Sequence, residues 1–202
     1  MSYIGSKPAN KPVVASDLDP AVITGQTALA VAPAATDEFL ISDAGTLKRL
    51  DASLIGGANT PAFFINKSSS QSINDNTYTQ ITFDSEIIDT DNAFASNTFT
   101  VPTGEAGKYF ISFQCFGYDG AANIRAHRIK IYKNDSSIAR SQIDLDGQDL
   151  TENTLVLSCV LDLSAGDTIK FYANLNTTDS GTADVNGDSI YRSFVQGYKL
   201  IT

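Results

Sequence analysis

Histidine, cysteine and positive charge are all scarce in this chain of 202 residues. The single histidine, His127, cannot build an imidazole-based metal centre, and it stands in an alternating, charged run, RAHRIKIYK, that reads as a surface or interface strand. Two cysteines, Cys115 and Cys159, make no disulfide framework and match no zinc spacing; both lie in apolar runs, which predicts buried free thiols. Lys and Arg number 14 against 23 Asp and Glu, a net charge of -9 with both signs scattered along the chain. That balance argues against an electrostatic grip on nucleic acid or an anionic membrane and favours a neutral or cationic partner. No apolar run approaches the roughly 18 residues of a membrane span, so membrane insertion is not expected. VITGQTALAVAPAAT has the small residues of a leader, but Gly25, Gln26 and Thr27 interrupt it, and Asp17 and Asp19 occupy the place of a basic flank.

What is present is strand pattern. Hydrophobic residues make up 42% of the chain, enough for one sizeable core. Residues 1–60 are rich in Ala, Pro and Gly with few large apolar groups, whereas residues 61–202 carry nearly all the Phe and Tyr. IGGANTP, residues 55–61, marks the boundary because Gly-Gly and Asn-Thr-Pro end ordered elements. Before it, DEFLISDAGTLKRL predicts a hairpin turning at Asp43, Ala44 and Gly45, followed by a short helical turn over residues 51–55. After it come nine predicted strands: 62–67, 78–83, 97–102, 108–118, 128–133, 137–144, 154–163, 168–175 and 191–201. Strands at this spacing, with no helical stripe of twelve residues or more, predict a β-sandwich, Greek key or jelly roll. In KYFISFQCFGY both alternating faces are apolar, so both must be covered.

Little in the sequence speaks for catalysis, and no cofactor is expected. GDSI at 187–190 carries the residues of a hydrolase nucleophile motif, but Ser189 follows His127 and the alternating helices of that fold are missing. No phosphate loop or paired catalytic carboxylate motif is visible. Asp144, Asp146 and Asp149, and Asp184, Asn186 and Asp188, group oxygen ligands without completing a twelve-residue calcium loop, so solvated turns are the preferred reading and no metal residue is assigned.

Phe83, Asp89 and Phe94, followed by Gly-x-Tyr-x-Ile-x-Phe at Gly107, Tyr109, Ile111 and Phe113, resemble the signature of the complement 1q globular head, a jelly roll shared with tumour necrosis factor. AFFINK, LSAGDTIKF and SFVQGYKLI resemble the first, late and closing strands of that head. Two positions depart: the family usually has Phe at Ile111, and Phe where this chain has Val101, with Phe99 beside it. The resemblance covers about residues 61–202 and implies an all-β fold, a trimeric jelly-roll sandwich preceded by an extended arm with one hairpin. It implies a homotrimer packed through Tyr109, Ile111 and Phe113, and, because some relatives bind calcium, it leaves a weak calcium site open.

MSYIGSKP and DEFLISDAGTLKRL resemble short modules of bacteriophage tail-fibre and other virion structural proteins. That implies a virion protein whose residues 1–60 dock onto other virion proteins through Tyr3, Phe39, Ile41 and Leu47. Its head would bind a host surface glycan or protein through Tyr118, Asp119, Asn123, Asp179, Asp184 and Asn186, which lie in two polar loops. A structural adaptor or head decoration protein, or a secreted bacterial binding protein, shares the same features.

Overall fold

The computed structural model describes residues 36–54, 59–120, 124–145 and 150–201, together with residues 27, 33, 34 and 147. The chain divides into two compact units, Met1–Gly56 and Gly57–Thr202. In the first, β1 (Glu38–Asp43) and β2 (Thr46–Asp51) form an antiparallel hairpin whose register pairs Phe39 with Leu50 and Ile41 with Lys48. Its turn has Ala44 at φ 49° and Gly45 at φ 80°, the left-handed pair that matches strand twist. A 3-10 turn, Ala52–Leu54, follows. Phe39 and Leu40 are 40% and 73% exposed, so the described hairpin has no core of its own. Tyr3 and the predicted extended arm lie outside the described residues, as does the side chain of Leu47.

The second unit is a sandwich of two antiparallel sheets. The larger is centred on β9 (Gly107–Tyr118). One edge of β9 pairs along its whole length with β12 (Glu152–Leu163). The other edge is shared by β15 (Phe194–Lys199) and, at the end near Tyr118, by β14 (Thr182–Val185). β15 then pairs with β3 (Ala62–Asn66) and β3 with β6 (Ser85–Asp89), while β14 pairs with β4 (Gln71–Asn74). The smaller sheet runs β11 (Ser136–Asp144), β10 (Ile124–Lys133), β13 (Thr168–Thr177). Against the far edge of β13 lie β5 (Thr79–Gln80) and β8 (Thr98–Thr100), with β7 (Phe94–Ala95) beyond β8.

Alternation decides what each strand buries. Tyr109, Ile111, Phe113 and Cys115 of β9 turn inward to meet Phe99, Ile129, Ile131, Ile169 and Phe171 of the smaller sheet, all fully buried or nearly so. Aromatic rings knit the sheets together: Phe63 stacks on Phe99 at 4.6 Å and Phe113 meets Phe171 at 5.4 Å. Each such side chain contributes about 1.5–3 kcal/mol by leaving water. Tyr109 keeps its hydroxyl satisfied by donating to the Glu105 carbonyl at 2.5 Å, and burial pushes its phenol up to about 12. Both cysteines are free; Cys115 is buried, which raises its thiol, and Cys159 is half-buried.

Three expectations change. Tyr109, Ile111 and Phe113, read as trimer-packing residues, lie inside this chain's own core at 0% exposure and present nothing to a neighbour. The predicted strand 78–83 shortens to two paired residues, although Ile81 and Phe83 remain buried. Conversely, the polar stretch NTTDSGTADVNGD contains β14, because Ala183 and Val185 alternate into the core.

Gly197 of β15 sits where β9 and β3 converge: a Cβ there would stand 2.7 Å from Ile111 Cδ1, 2.8 Å from Phe63 Cε1 and 2.9 Å from the Phe110 carbonyl. Overpacking of this kind costs about 1–3 kcal/mol. Gly197→Ala is therefore expected to lower the urea midpoint at unchanged m-value; an unmoved midpoint would contradict this packing.

Candidate functional site

The outer face of the larger sheet carries the side chains that β9 turns away from the core. Phe110, Ser112, Gln114, Phe116 and Tyr118 line it in sequence. Register sets Val160 opposite Phe110, Ser158 opposite Ser112 and Val156 opposite Gln114 on the β12 side. On the β15 side, Tyr198 lies opposite Phe110 and Gln196 opposite Ser112. The rings of Phe110 and Tyr198 meet at 5.4 Å, and Phe64 contacts Phe194 at 5.3 Å and Tyr191 at 5.1 Å. Val156, Val160 and Tyr198 remain 53%, 57% and 38% exposed. At the centre the Ser112 and Ser158 hydroxyls bond at 2.8 Å. This face is an aromatic and aliphatic band with a small polar centre.

Tyr118 closes β9 at what we call the far end of the head. Strand pairing places it between Glu152 and Asp184, so Tyr118 and Asp184 are direct cross-strand neighbours. Ser72 donates its hydroxyl to the Asp184 carboxylate. Next to this pair, Ser70 donates to Asn186 Oδ1 at 2.7 Å, and the Asn186 amide donates to the Phe116 carbonyl at 2.9 Å. Ser193 ties the same corner together, accepting from the Phe116 amide at 2.9 Å and donating to the Asn186 carbonyl at 2.6 Å. The structure thus brings Tyr118, Asp184 and Asn186 to one corner of the sheet. Asp119 lies in the loop after β9, its amide donating to the Thr151 carbonyl at 2.8 Å. Asp179 lies in the exposed turn before β14, where a 2.9 Å hydrogen bond from the Gly181 amide holds its carboxyl below the usual range. Asn123 lies outside the described residues. Among the described residues, no group of three His, Cys, Asp or Glu side chains is placed to hold a metal ion.

His127 overturns its surface assignment. In RAHRIKIYK the alternation turns Arg128 and Lys130 outward and His127 inward, where it is 0% exposed. Its Nδ1 lies 2.5 Å from Asn153 Oδ1, and its Nε2 is buried with no hydrogen-bond partner among the described residues. Gly117 makes room for the ring, since a Cβ there would stand 3.4 Å from it and 2.6 Å from Leu175 Cδ2. Ser189 is exposed, while His127 is sealed in the core. Sequence reasoning put Phe110 on the face of β9 opposite Tyr109 but did not single out Val160 and Tyr198, which cross-strand pairing sets beside it.

No protein-family model and no curated protein matches the sequence. Solved structures do match the fold. Murine APRIL is similar over 69% of this chain and 98% of its own, at 14% identity and a TM-score of 0.50. Eiger TNF from S. frugiperda is similar over 69% of this chain and 92% of its own, at 12% identity and a TM-score of 0.52. The globular domain of zebrafish complement 1qA covers 70% of this chain and 98% of its own, at 14% identity and a TM-score of 0.48. The second unit therefore shares the jelly-roll fold of murine APRIL and Eiger TNF, and at these identities the likeness is one of fold alone.

Burial drives the His127 imidazole down to about 4 from 6.5, outweighing the hydrogen bond to Asn153. The folded state then binds fewer protons than the unfolded state between those values, so stability is full above about pH 6.5 and falls as pH drops toward 4, by about 3 kcal/mol. Asp167, held at about 2 by Lys133, Asn134 and the Ser164 amide, titrates outside this window. Urea titrations from pH 4 to 7.5 are expected to show that slope in the wild type and lose most of it in His127→Gln; an equal slope in both would remove His127 as its source.

Proposed function

We propose that this chain is a bacteriophage virion protein, a tail fibre or spike that attaches the particle to its host by a trimeric head and acts by binding, without turnover. The observation that carries the reading is the uncovered band on the larger sheet. A soluble head that leaves Phe110, Tyr198, Val156 and Val160 in one patch calls for a protein partner. Three copies around a threefold axis, as the resemblance implies, cover that band on every head. The far-end corner of Tyr118, Asp184 and Asn186 is then repeated three times, so weak single-site contacts gain avidity.

Virion docking rests on the first unit. A two-stranded hairpin with Phe39, Leu40 and Ile41 in partial or full contact with solvent is marginal in water and calls for a partner surface. Its sequence resemblance to phage modules makes other virion proteins that partner. A purely structural adaptor or head decoration protein remains the second reading, and differs only in lacking a host ligand.

Light scattering on the full-length protein is expected to give about three times 21.6 kDa. The double variant Phe110→Asp, Tyr198→Asp is expected to be monomeric with unchanged far-UV circular dichroism. A monomeric wild type at tens of micromolar would sink the trimer. Antibody to the head is expected to label a projecting appendage on particles from the source culture and to block adsorption. Labelling with unimpaired adsorption selects the adaptor reading, and unlabelled particles remove the virion assignment.

A further inference from the structure

The chain is acidic overall, yet its fold gathers cations onto one face. Arg128 and Lys130 of β10, Arg140 of β11 and Lys170 of β13 all occupy outward positions on the smaller sheet, opposite the face that packs into the core. Asp144, on β11, pairs with Arg128, and Asp135, in the turn after β10, pairs with Lys170 at 2.7 Å. Lys130 and Arg140 have no ion-pair partner among the described residues. They are also direct partners across the β10–β11 ladder. Like charges so placed destabilise a sheet. The Tyr78 ring, 3.8 Å from Lys130 Nζ, offsets part of that repulsion.

The surroundings suit a sugar. Tyr132 and Tyr172 lie beside Lys130 with rings 4.4 Å apart, offering apolar faces to pyranose C–H groups. Gln142 supplies an exposed amide along the same face, able to donate and accept, while the Asn176 amide already donates to Asp75 Oδ1 at 3.3 Å. Two shallow depressions lie here, one at the cation pair and one at Arg128. One, of about 290 Å³, is lined by Lys130, Ser137, Ile138, Ala139 and Arg140; the other, of about 380 Å³, by Arg125, Arg128, Asp144 and Asn176.

We propose that the outward face of β10, β11 and β13 binds an acidic glycan, with Lys130 and Arg140 receiving a sugar carboxylate and Tyr132 and Tyr172 packing on the neighbouring rings. A polysaccharide with a carboxylate every sugar or few sugars fits better than a nucleic acid. Asp135 and Asp144, paired with Lys170 and Arg128, interrupt the cations and leave no continuous basic track for a phosphate backbone, whereas the Lys130–Arg140 pair matches a single carboxylate. This deepens the attachment reading by naming a ligand class, and moves the contact from the far-end loops to a sheet face.

The test uses full-length protein with three immobilised probes: a polyguluronate oligomer, neutral dextran of equal length and a twenty-nucleotide oligothymidylate. Binding to polyguluronate is expected, weakening as salt rises, with no binding to dextran. Lys130→Glu with Arg140→Glu is expected to weaken it at least tenfold while leaving native mass and melting temperature unchanged; Lys130→Gln with Arg140→Gln serves if the reversal misfolds. Equal binding to polyguluronate and dextran, tighter binding to the oligothymidylate, or undiminished binding by a folded variant overturns the proposal. In adsorption assays the two readings separate. If free wild type and variant compete equally well for the host, the attachment reading stands and this face falls. If polyguluronate binding is lost in the variant but head antibody leaves adsorption unimpaired, the face stands and the attachment reading falls.

Discussion

Everything in the head hangs on the register of β9. That strand pairs along its full length with β12 and divides its other edge between β15 and β14, so a slip of one residue would break three ladders together. It would also exchange the two faces, sending Ser112 and Gln114 into the core and Tyr109 and Phe113 out. Two glycines pin the register sterically: Gly117 leaves room for His127 and Leu175, and Gly197 for Ile111 and Phe63. The long aromatic core and the outer band follow from this one choice.

The two outer faces then acquire different chemistry. Along the middle of the larger sheet the outward positions are Phe, Tyr, Val, Ser and Gln, a surface suited to exclude water against another protein, with charged residues such as Lys108, Asp162 and Glu152 at its ends. On the smaller sheet they are Arg, Lys, Tyr, Asn and Gln, a surface suited to stay wet while holding charge. A sandwich with one face of each kind can assemble through one and meet a ligand through the other without competition.

Much of this was legible in the sequence. The Gly-x-Tyr-x-Ile-x-Phe run, the apolar alternation of TLVLSCVLDL and the hairpin turn at Ala44 and Gly45 announced β9, β12 and the hairpin, and the fold class followed. Which face of β9 turns inward was not legible, because Phe110 and Phe116 are as apolar as Tyr109 and Phe113; that is decided by the partners it meets. The short strands β4 and β14 were hidden for a different reason: each buries only one or two residues, and pairing supplies the rest. The cation cluster escaped for a third reason. Arg128, Lys130, Arg140 and Lys170 look scattered in a linear reading with net charge -9, and only antiparallel pairing lines them up.

β3 enters the head at Ala62 beside Tyr198 near the end of β15, and is hydrogen-bonded to β15 on one side and β6 on the other. Tyr118, which ends β9, and Thr182, which opens β14, lie at the opposite end. Tension applied between Ala62 and Tyr118 would run along the strands, perpendicular to the ladder hydrogen bonds. The bonds are loaded in shear, and many must break together, as in a lap joint, instead of opening one at a time like a zip. A head built this way would resist being drawn out along its strands.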